Sequence, residues 1–476
     1  MIEGLKPYPE MKPSGVTWLG DVPTHWEATR VKHLFRSKKV VNSDRRETNV
    51  LSLTLRGVVN NDPENPEGLV PKDYATYQIF EAEDLVFKLI DLENLRTSRV
   101  GLVHERGIMS SAYVRISLNS DGYIRYFYHQ FFDLYARGIY NQLGAGVRST
   151  LGASDLLNLT IAVPPPSEQE AIVCFVEHAD RLIGRYIRAK QALIKLLEEQ
   201  KQAIIHQAVT RGLDFGVSLK SSGVRWLGDI PIHWQVASLG RHIDLLTGFP
   251  FRSEGFTIGD TDIRLLRGVN VTPGAIRWED VVRWPAVGAA SLREYELREG
   301  DVVLGMDRPM VGSGTRVAVV STQDLPSLLL QRVARIRPLS SLSAEYLVHL
   351  LRGPGFSNYL APIFTGVSVP HMSPAQIRNF AVPLPPKEEQ HAIVCELRSR
   401  VSVLGETMAA SLKEIALLRE YRTRLIADVV TGKLDVREAA ARLPVEVGGE
   451  DAEMFDAADD LAGEELAEEL TEEEAA

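Results

Sequence analysis

The sequence predicts an α+β chain built twice over, with two pseudo-repeated globular domains separated by two long antiparallel coiled-coil helices. Three observations carry this. Residues 14–26 (SGVTWLGDVPTHW) return at 222–234 (SGVRWLGDIPIHW) with ten of thirteen positions identical. A second word at 159–172 (LTIAVPPPSEQEAI) returns at 380–393 (FAVPLPPKEEQHAI). Each second word opens a stretch whose apolar residues recur at alternating steps of three and four, the pattern of a coiled-coil seam.

Taken in order, residues 1–167 form the first globular domain. Its short apolar or alternating runs, EDLVF at 83–87, SRVGLV at 98–103 and AYVRI at 112–116, are bounded by Gly and polar residues and predict strands. Residues 168–212 form the central helix, and the prolines at 164–166 stop the strand before it. Ser167 is placed to cap that helix by accepting from an orphan backbone N–H. Its expected seam is Ile172, Val176, Ala179, Ile183, Tyr186, Leu193, Leu197 and Ile204, interrupted by Lys190, Gln200 and Gln207. Residues 213–387 form the second domain. GDVVL at 300–304, TRVAVV at 315–320 and RVARI at 332–336 align there with the three runs of the first. Residues 388–436 form the second helix, with nine of eleven seam positions from Val394 to Val429 apolar and Ser411 and Arg422 the exceptions. The two helical stretches close on similar words, TRGLD from Thr210 and TGKLD from Thr431. A helix of ~44 residues is a rod of roughly 65 Å. Residues 437–476 are an acidic tail expected to be disordered.

The composition, 45% hydrophobic and 24% charged, permits ordinary cores. No apolar run approaches the ~18 residues of a membrane span, and the start lacks a basic-then-apolar leader, so a soluble cytoplasmic protein is expected. The formal net charge of −10 is unevenly placed. Residues 446–476 hold 14 Asp or Glu and no Lys or Arg, which leaves +4 for the rest of the chain. A mildly basic body is compatible with a nucleic-acid partner. The only two cysteines, Cys174 and Cys395, exclude a disulfide framework and a four-cysteine zinc site, and each is expected to be a small buried hydrophobe.

The residue patterns of catalysis are missing. There is no Asn/Asp-Pro-Pro-Tyr word of the kind that surrounds a target amino group in adenine methyltransferases, and no phosphate-binding Gly-x-x-x-x-Gly-Lys-Ser/Thr loop. No His-Glu-x-x-His or Cys/His cluster has metal-ligand spacing. Gly144-Ala-Gly146 and Gly312-Ser-Gly314 are too short for a dinucleotide fingerprint and are expected to be turns. His25 and His233, with Trp18, Trp26, Trp226 and Trp234, recur inside one repeated word and are expected to pack rather than react. Neither catalytic residues nor metal ligands are expected.

The WLGDVPTHW and PPPSEQEAI words, repeated in tandem and in order, resemble the specificity (S) subunits of type I restriction–modification systems, over residues ~14–436. That resemblance implies two target recognition domains, each reading one part of a bipartite, asymmetric site in double-stranded DNA, with the helices as a ruler between them. It implies docking of two methyltransferase (M) subunits and of restriction/translocase (R) subunits. No cofactor is expected on this chain, S-adenosylmethionine being expected on the methyltransferase partners. The acidic tail falls outside the pattern. A single-chain methyltransferase or nuclease would lack its catalytic words, and a coiled-coil scaffold indifferent to DNA would leave two divergent globular domains without a purpose.

Side chains that read DNA reach base edges, with Arg suited to guanine and Asn or Gln to adenine. Strand parity puts Gln331, Arg335 and Arg337 on one face, opposite Leu328, Leu330, Ala334 and Ile336, with Arg332 an exception on the apolar face. The aligned run of the first domain puts Ser111 and Arg115 on the corresponding face. Polar loops add Arg45, Arg46, Arg56, Arg99, Asn141, Gln142 and Arg148 in the first domain. In the second they add Arg252, Arg267, Asn270, Arg308, Arg316, Ser368 and His371.

Overall fold

A computed structural model describes residues 5–54, 57–62, 71, 73–90, 92, 99–143, 150–286, 289–311, 314–364 and 370–444. The architecture is α+β, and the chain divides into two units. The first holds the described residues up to Ala189 and those from Glu414 onward, and the second holds Lys190–Lys413. Each unit therefore combines one globular domain with the beginning of one long helix and the end of the other.

The first unit is built on a four-stranded antiparallel sheet of β1 (Phe35–Arg36), β2 (Leu85–Phe87), β3 (Val100–Leu102) and β4 (Val114–Leu118), in the order β1-β4-β2-β3. The second repeats it with β5 (Ile243–Thr247), β6 (Val302–Gly305), β7 (Val317–Val319) and β8 (Val333–Pro338), in the order β5-β8-β6-β7. The three aligned words of each half supply the three strands on one side of each sheet. The turn before β2 places Glu83 at φ 67°, and the equivalent position before β6 is Gly300 at φ 82°. Glycine takes this left-handed conformation freely, whereas glutamate is held in it by surrounding structure.

After the sheet comes a helix, α1 (Ile124–Ala136) in the first unit, then the long α2 (Pro166–Arg211). In the second unit α3 (Ala344–Arg352) precedes the long α4 (Lys387–Val430). The central helix starts at Pro166, so Ser167 lies in its first turn and does not cap it. Proline suits the first helical position because its missing N–H would have no partner there.

The recurring words meet in space within each unit. Glu168 of the PPPSEQ word accepts from Trp26 Nε1 (3.0 Å) and His25 Nε2 (2.9 Å), and also from the Tyr8 hydroxyl. Glu389 accepts from Trp234 Nε1 (3.0 Å) and His233 Nε2 (2.8 Å). The neighbouring glutamine ties the long helix to the shorter one. Gln169 accepts from the Tyr123 N–H (2.8 Å), and Gln390 from the Ser343 N–H (2.9 Å). The closing words arrive at the same place. A Cβ on Gly432 (φ 79°) would lie 2.5 Å from Pro23 and 2.9 Å from Trp26, and one on Gly212 (φ 75°) 3.3 Å from Trp234. Trp26 and Trp234 are fully buried. Trp18 and Trp226 are half-buried, the latter stacked on Phe380 at 4.9 Å.

A further repeat, unmarked by any long shared word, lies on α1 and α3. The Tyr126 hydroxyl donates to the carbonyls of Ala162 (3.0 Å) and Val430 (3.1 Å). The Tyr346 hydroxyl donates to Val209 (3.2 Å) and Pro383 (3.4 Å). Both bonds reach the last turn of a long helix. Three residues on stand His129 and His349, whose burial, with nearby arginines, lowers each imidazole pKa to about 4.

Every seam position of α4 from Val394 to Val429 is buried or half-buried. Its polar member Arg422 is held by Asp180 of α2 (Nε to Oδ1, 2.5 Å). The seam of α2 departs from expectation after Ile183. Tyr186 is 58% exposed and Leu193 is 38% exposed, while Ile187, Ile194 and Ile205 are buried in their stead. A straight α-helix drifts ~20° per heptad from a strict 3.5 repeat, and two successive steps of four absorb that drift. Cys174 and Cys395 lie on the outer faces of α2 and α4 as exposed free thiols, because Val173, Phe175 and Val394 take the inward positions.

Candidate nucleic-acid interface

In each domain, side chains common to both repeats build a frame, and side chains that differ stand on its rim. The frame begins with a buried carboxylate before the second strand. Asp84 accepts from the Glu81 N–H (2.6 Å) and pairs with Arg115 (2.5 Å). Asp301 accepts from the Arg298 N–H (2.8 Å) and pairs with Arg337 (2.5 and 2.9 Å). Arg99 is 0% exposed and donates through Nη1 to the Ile90 carbonyl (3.2 Å). Its equivalent Arg316 donates through Nη1 to the Asp307 carbonyl (3.3 Å), through Nε to Val271 (2.9 Å), and through Nη2 to Gly268. Arg115 donates to the Ile79 carbonyl (2.8 Å), and its equivalent Arg335 to Glu294 (3.1 Å) while pairing with Asp244 (2.8 Å).

These arginines depart from the DNA-reading expectation. Arg99, Arg115, Arg316 and Arg335 hold the interior of their domains. Arg337, half-buried, faces Asp301 rather than solvent. Parity does place Arg335 and Arg337 on one face of β8, but a backbone segment crosses that face, and their guanidinium groups bond its carbonyls at Glu294 and Glu296. Asn270 is likewise internal. Its side chain accepts from the Arg267 N–H (3.0 Å) and donates to the Arg277 carbonyl (2.9 Å). Arg267 is half-buried against Asp280 (2.6 Å).

The remaining described candidates lie at the surface. Arg46 is 83% exposed beside Asp44 (2.6 Å). Arg45 is 69% exposed, stands at φ 52° and pairs with Asp73 (2.8 Å) over a cleft of about 490 Å³ that Asn42, Glu47 and Tyr74 help to line. The bond from the Ala75 N–H, and after it the Arg45 pairing, hold the Asp73 carboxyl below its usual value. Asn141 and Gln142 are exposed and Ser111 half-exposed, with Asn141 donating to the Leu92 carbonyl (2.9 Å). Arg252, Arg308, Gln331 and His371 are exposed in the second domain. Arg56, Arg148, Ser368 and the tail from residue 445 onward lie outside the described residues.

Sequence reasoning missed Arg332 and Asp307. Strand parity extended to Arg332 puts it on the apolar face, yet β8 begins only at Val333, and Arg332 sits in the preceding turn at φ 70°. It is 59% exposed, and its Nη1 donates to both Asp307 oxygens (2.9 and 2.7 Å). His371 Nδ1 donates to the same carboxylate (2.5 Å). Burial pushes the Asp307 carboxyl up, and the bonds from His371 and Arg332 more than offset this, leaving it below the usual carboxylate value. Among the described residues no cluster of three or more His, Cys, Asp or Glu could hold a metal ion, and no helix is long and apolar enough to cross a membrane.

The chain is thus a duplicated domain whose two copies share a frame and differ at the rim, carried with two long helices. In sequence and fold the chain is similar to specificity subunits of type I restriction enzymes. It is 27% identical over 281 residues to the MjaVIII specificity subunit of Methanocaldococcus jannaschii, covering 59% of this chain and 63% of that one. It is 35% identical over 204 residues to the EcoAI specificity subunit of Escherichia coli, covering 43% of this chain and 33% of that one. The chain thus spans under two thirds of the length of these relatives. No family model matches it. A solved structure described as bearing on complex assembly and conformational transition of the type I R–M system shares its fold, with a TM-score of 0.65 at 17% identity, covering 86% of this chain and 98% of that one.

Proposed function

We propose that this chain is the non-catalytic DNA-specificity subunit of a type I restriction–modification complex. Each globular domain recognises one half of a bipartite, asymmetric site in double-stranded DNA. The long helices dock two methyltransferase subunits, which carry S-adenosylmethionine, and restriction subunits join the same cytoplasmic assembly. The observation that carries this reading is the division of each domain into a shared frame and an unshared rim. Arg99 and Arg316, Asp84 and Asp301, and Tyr126 and Tyr346 correspond, whereas Ile90 and Asp307, Ser111 and Gln331, and Ala112 and Arg332 occupy equivalent rim positions with unrelated chemistry. Two readers on one scaffold need this arrangement, because base contacts specify while the framework only positions them.

The test is genome-wide mapping of methylated adenines in cells carrying the partner methyltransferase, with and without this chain. A two-part motif that appears only with the chain is expected. Exchanging residues 30–160 for the matching segment of a relative should then change one half of the motif and leave the other. Methylation by the purified chain alone, or a change in both halves, would refute the reading.

A further inference from the structure

The second domain carries on its rim an ionic cluster whose carboxylate and arginine are replaced in the first domain by Ile90 and Ala112. Three chain segments meet there, the one after β6, the turn before β8 and the one leading to His371. Backbone bonds join them: Met306 N–H to the Arg332 carbonyl (2.9 Å), Arg308 N–H to Pro370 (2.8 Å) and Met372 N–H to Met306 (2.8 Å). Arg308 and Arg332 both stand in the left-handed region, at φ 43° and 70°. Arginine gains nothing intrinsic from that conformation, so the surrounding bonds over-determine it, and such strain is stored where geometry matters.

We infer that Arg332 is a base-reading residue of the second domain, selective for guanine, and that Asp307 positions it. This rests on the reading of the chain as a DNA-specificity subunit. Asp307 engages Arg332 through Nη1 alone, so Nε and Nη2 have no partner among the described residues and form a two-donor edge on an exposed side chain. Two parallel donors fit the O6 and N7 acceptors of guanine in the major groove, whereas adenine presents a donor beside N7. The carboxylate also removes rotamer freedom from a long side chain before DNA arrives, as preorganised binding requires. His371 takes Asp307 Oδ1 from the other side and fixes the carboxylate. The first domain has Ile90 and Ala112 at the equivalent positions and cannot make this contact, so only one half-site should depend on it.

The test is selection from a random duplex library by the full chain complexed with its methyltransferase subunits, followed by sequencing of the bound pool. The unaltered complex should select a bipartite motif. Arg332→Ala should lose preference at one G·C pair of one half-site, by about tenfold to a hundredfold. Asp307→Asn should weaken the same position in part, and Arg332→Lys should not restore it. Arg332→Gly suits the local φ and repeats the test should the alanine variant misfold. An unchanged motif in the Ala and Gly variants would overturn the inference. Uniform weakening on all duplexes with the motif intact would also overturn it, by making Arg332 a phosphate contact. Failure of the unaltered complex to select any motif would instead overturn the proposed function.

Discussion

Replacing His129 and His349 with leucine should flatten the acid sensitivity of the protein. His129 is buried and His349 half-buried, and desolvation holds each imidazole at about 4 against an ordinary 6.5. Between these values the unfolded chain binds a proton that the folded chain refuses. Stability therefore falls as pH drops through 6.5 and levels off below 4. At ~1.4 kcal/mol per pKa unit, each histidine costs about 2 kcal/mol at pH 5 relative to neutrality and roughly 3 kcal/mol at pH 4. The two lie in different units, so each single variant should relieve the transition of its own unit. The assay is urea unfolding at pH 7.5 and 5.0, followed by tryptophan fluorescence. The parent should lose stability between the two conditions, and the double variant should lose about 2 kcal/mol less in each unit. A double variant as acid-sensitive as the parent would show that these histidines take up protons in the folded state.

Three further outcomes are expected. Leu397→Asp places an unpaired carboxylate at a fully buried seam position and should lower stability by several kcal/mol, measured by thermal unfolding. Gly355→Ala drives a methyl to within 2.2 Å of the Trp226 ring, so it should cost about 1–3 kcal/mol in urea unfolding and shift tryptophan emission. Truncation after Pro444 removes 14 carboxylates beside a body of net +4. If the tail competes with phosphates, titration of random duplex at several salt concentrations will show tighter binding and a steeper salt dependence, with the selected motif unchanged; superimposable curves would rule that competition out.

The repeated words, the α4 seam and the α+β class were legible because each rests on a periodicity or a self-comparison within one chain. The Tyr126–His129 and Tyr346–His349 pairs escaped notice because the residues between and around them diverge. Only their common position before each proline-rich word could have revealed them. The α2 seam missed at Tyr186 and Leu193 because a fixed 3.5-residue template accumulates error along a straight helix. The rim was the least legible part. Parity holds only while a strand stays extended, and it was carried through the left-handed turn at Arg332. Nor could parity foresee that the crossing segment at Glu294–Glu296 would cover Arg335 and Arg337. A single arginine in sequence does not announce whether its partner is a backbone carbonyl, as at Arg99, or a surface carboxylate, as at Arg332.

The joint between the chain's two ends bears on its synthesis. The Asp435 N–H donates to the Lys6 carbonyl (2.8 Å), and Leu425, Val429, Val430 and Val436 share a core with Trp26, Tyr126 and Phe175. Among the described residues the first unit is therefore discontinuous in sequence, whereas the second runs unbroken from Lys190 to Lys413. On the ribosome the domain made first has to wait for the last turns of α4. At ~5–20 residues per second that delay is on the order of ten to forty-five seconds. Throughout it, the surface destined for Val429 and Val430 is uncovered, and the later-made domain, which ends at Lys413, has all its parts before those two valines emerge. Order of emergence and order of completion are thus reversed, and the nascent first domain is the segment for which a chaperone has the longest opportunity.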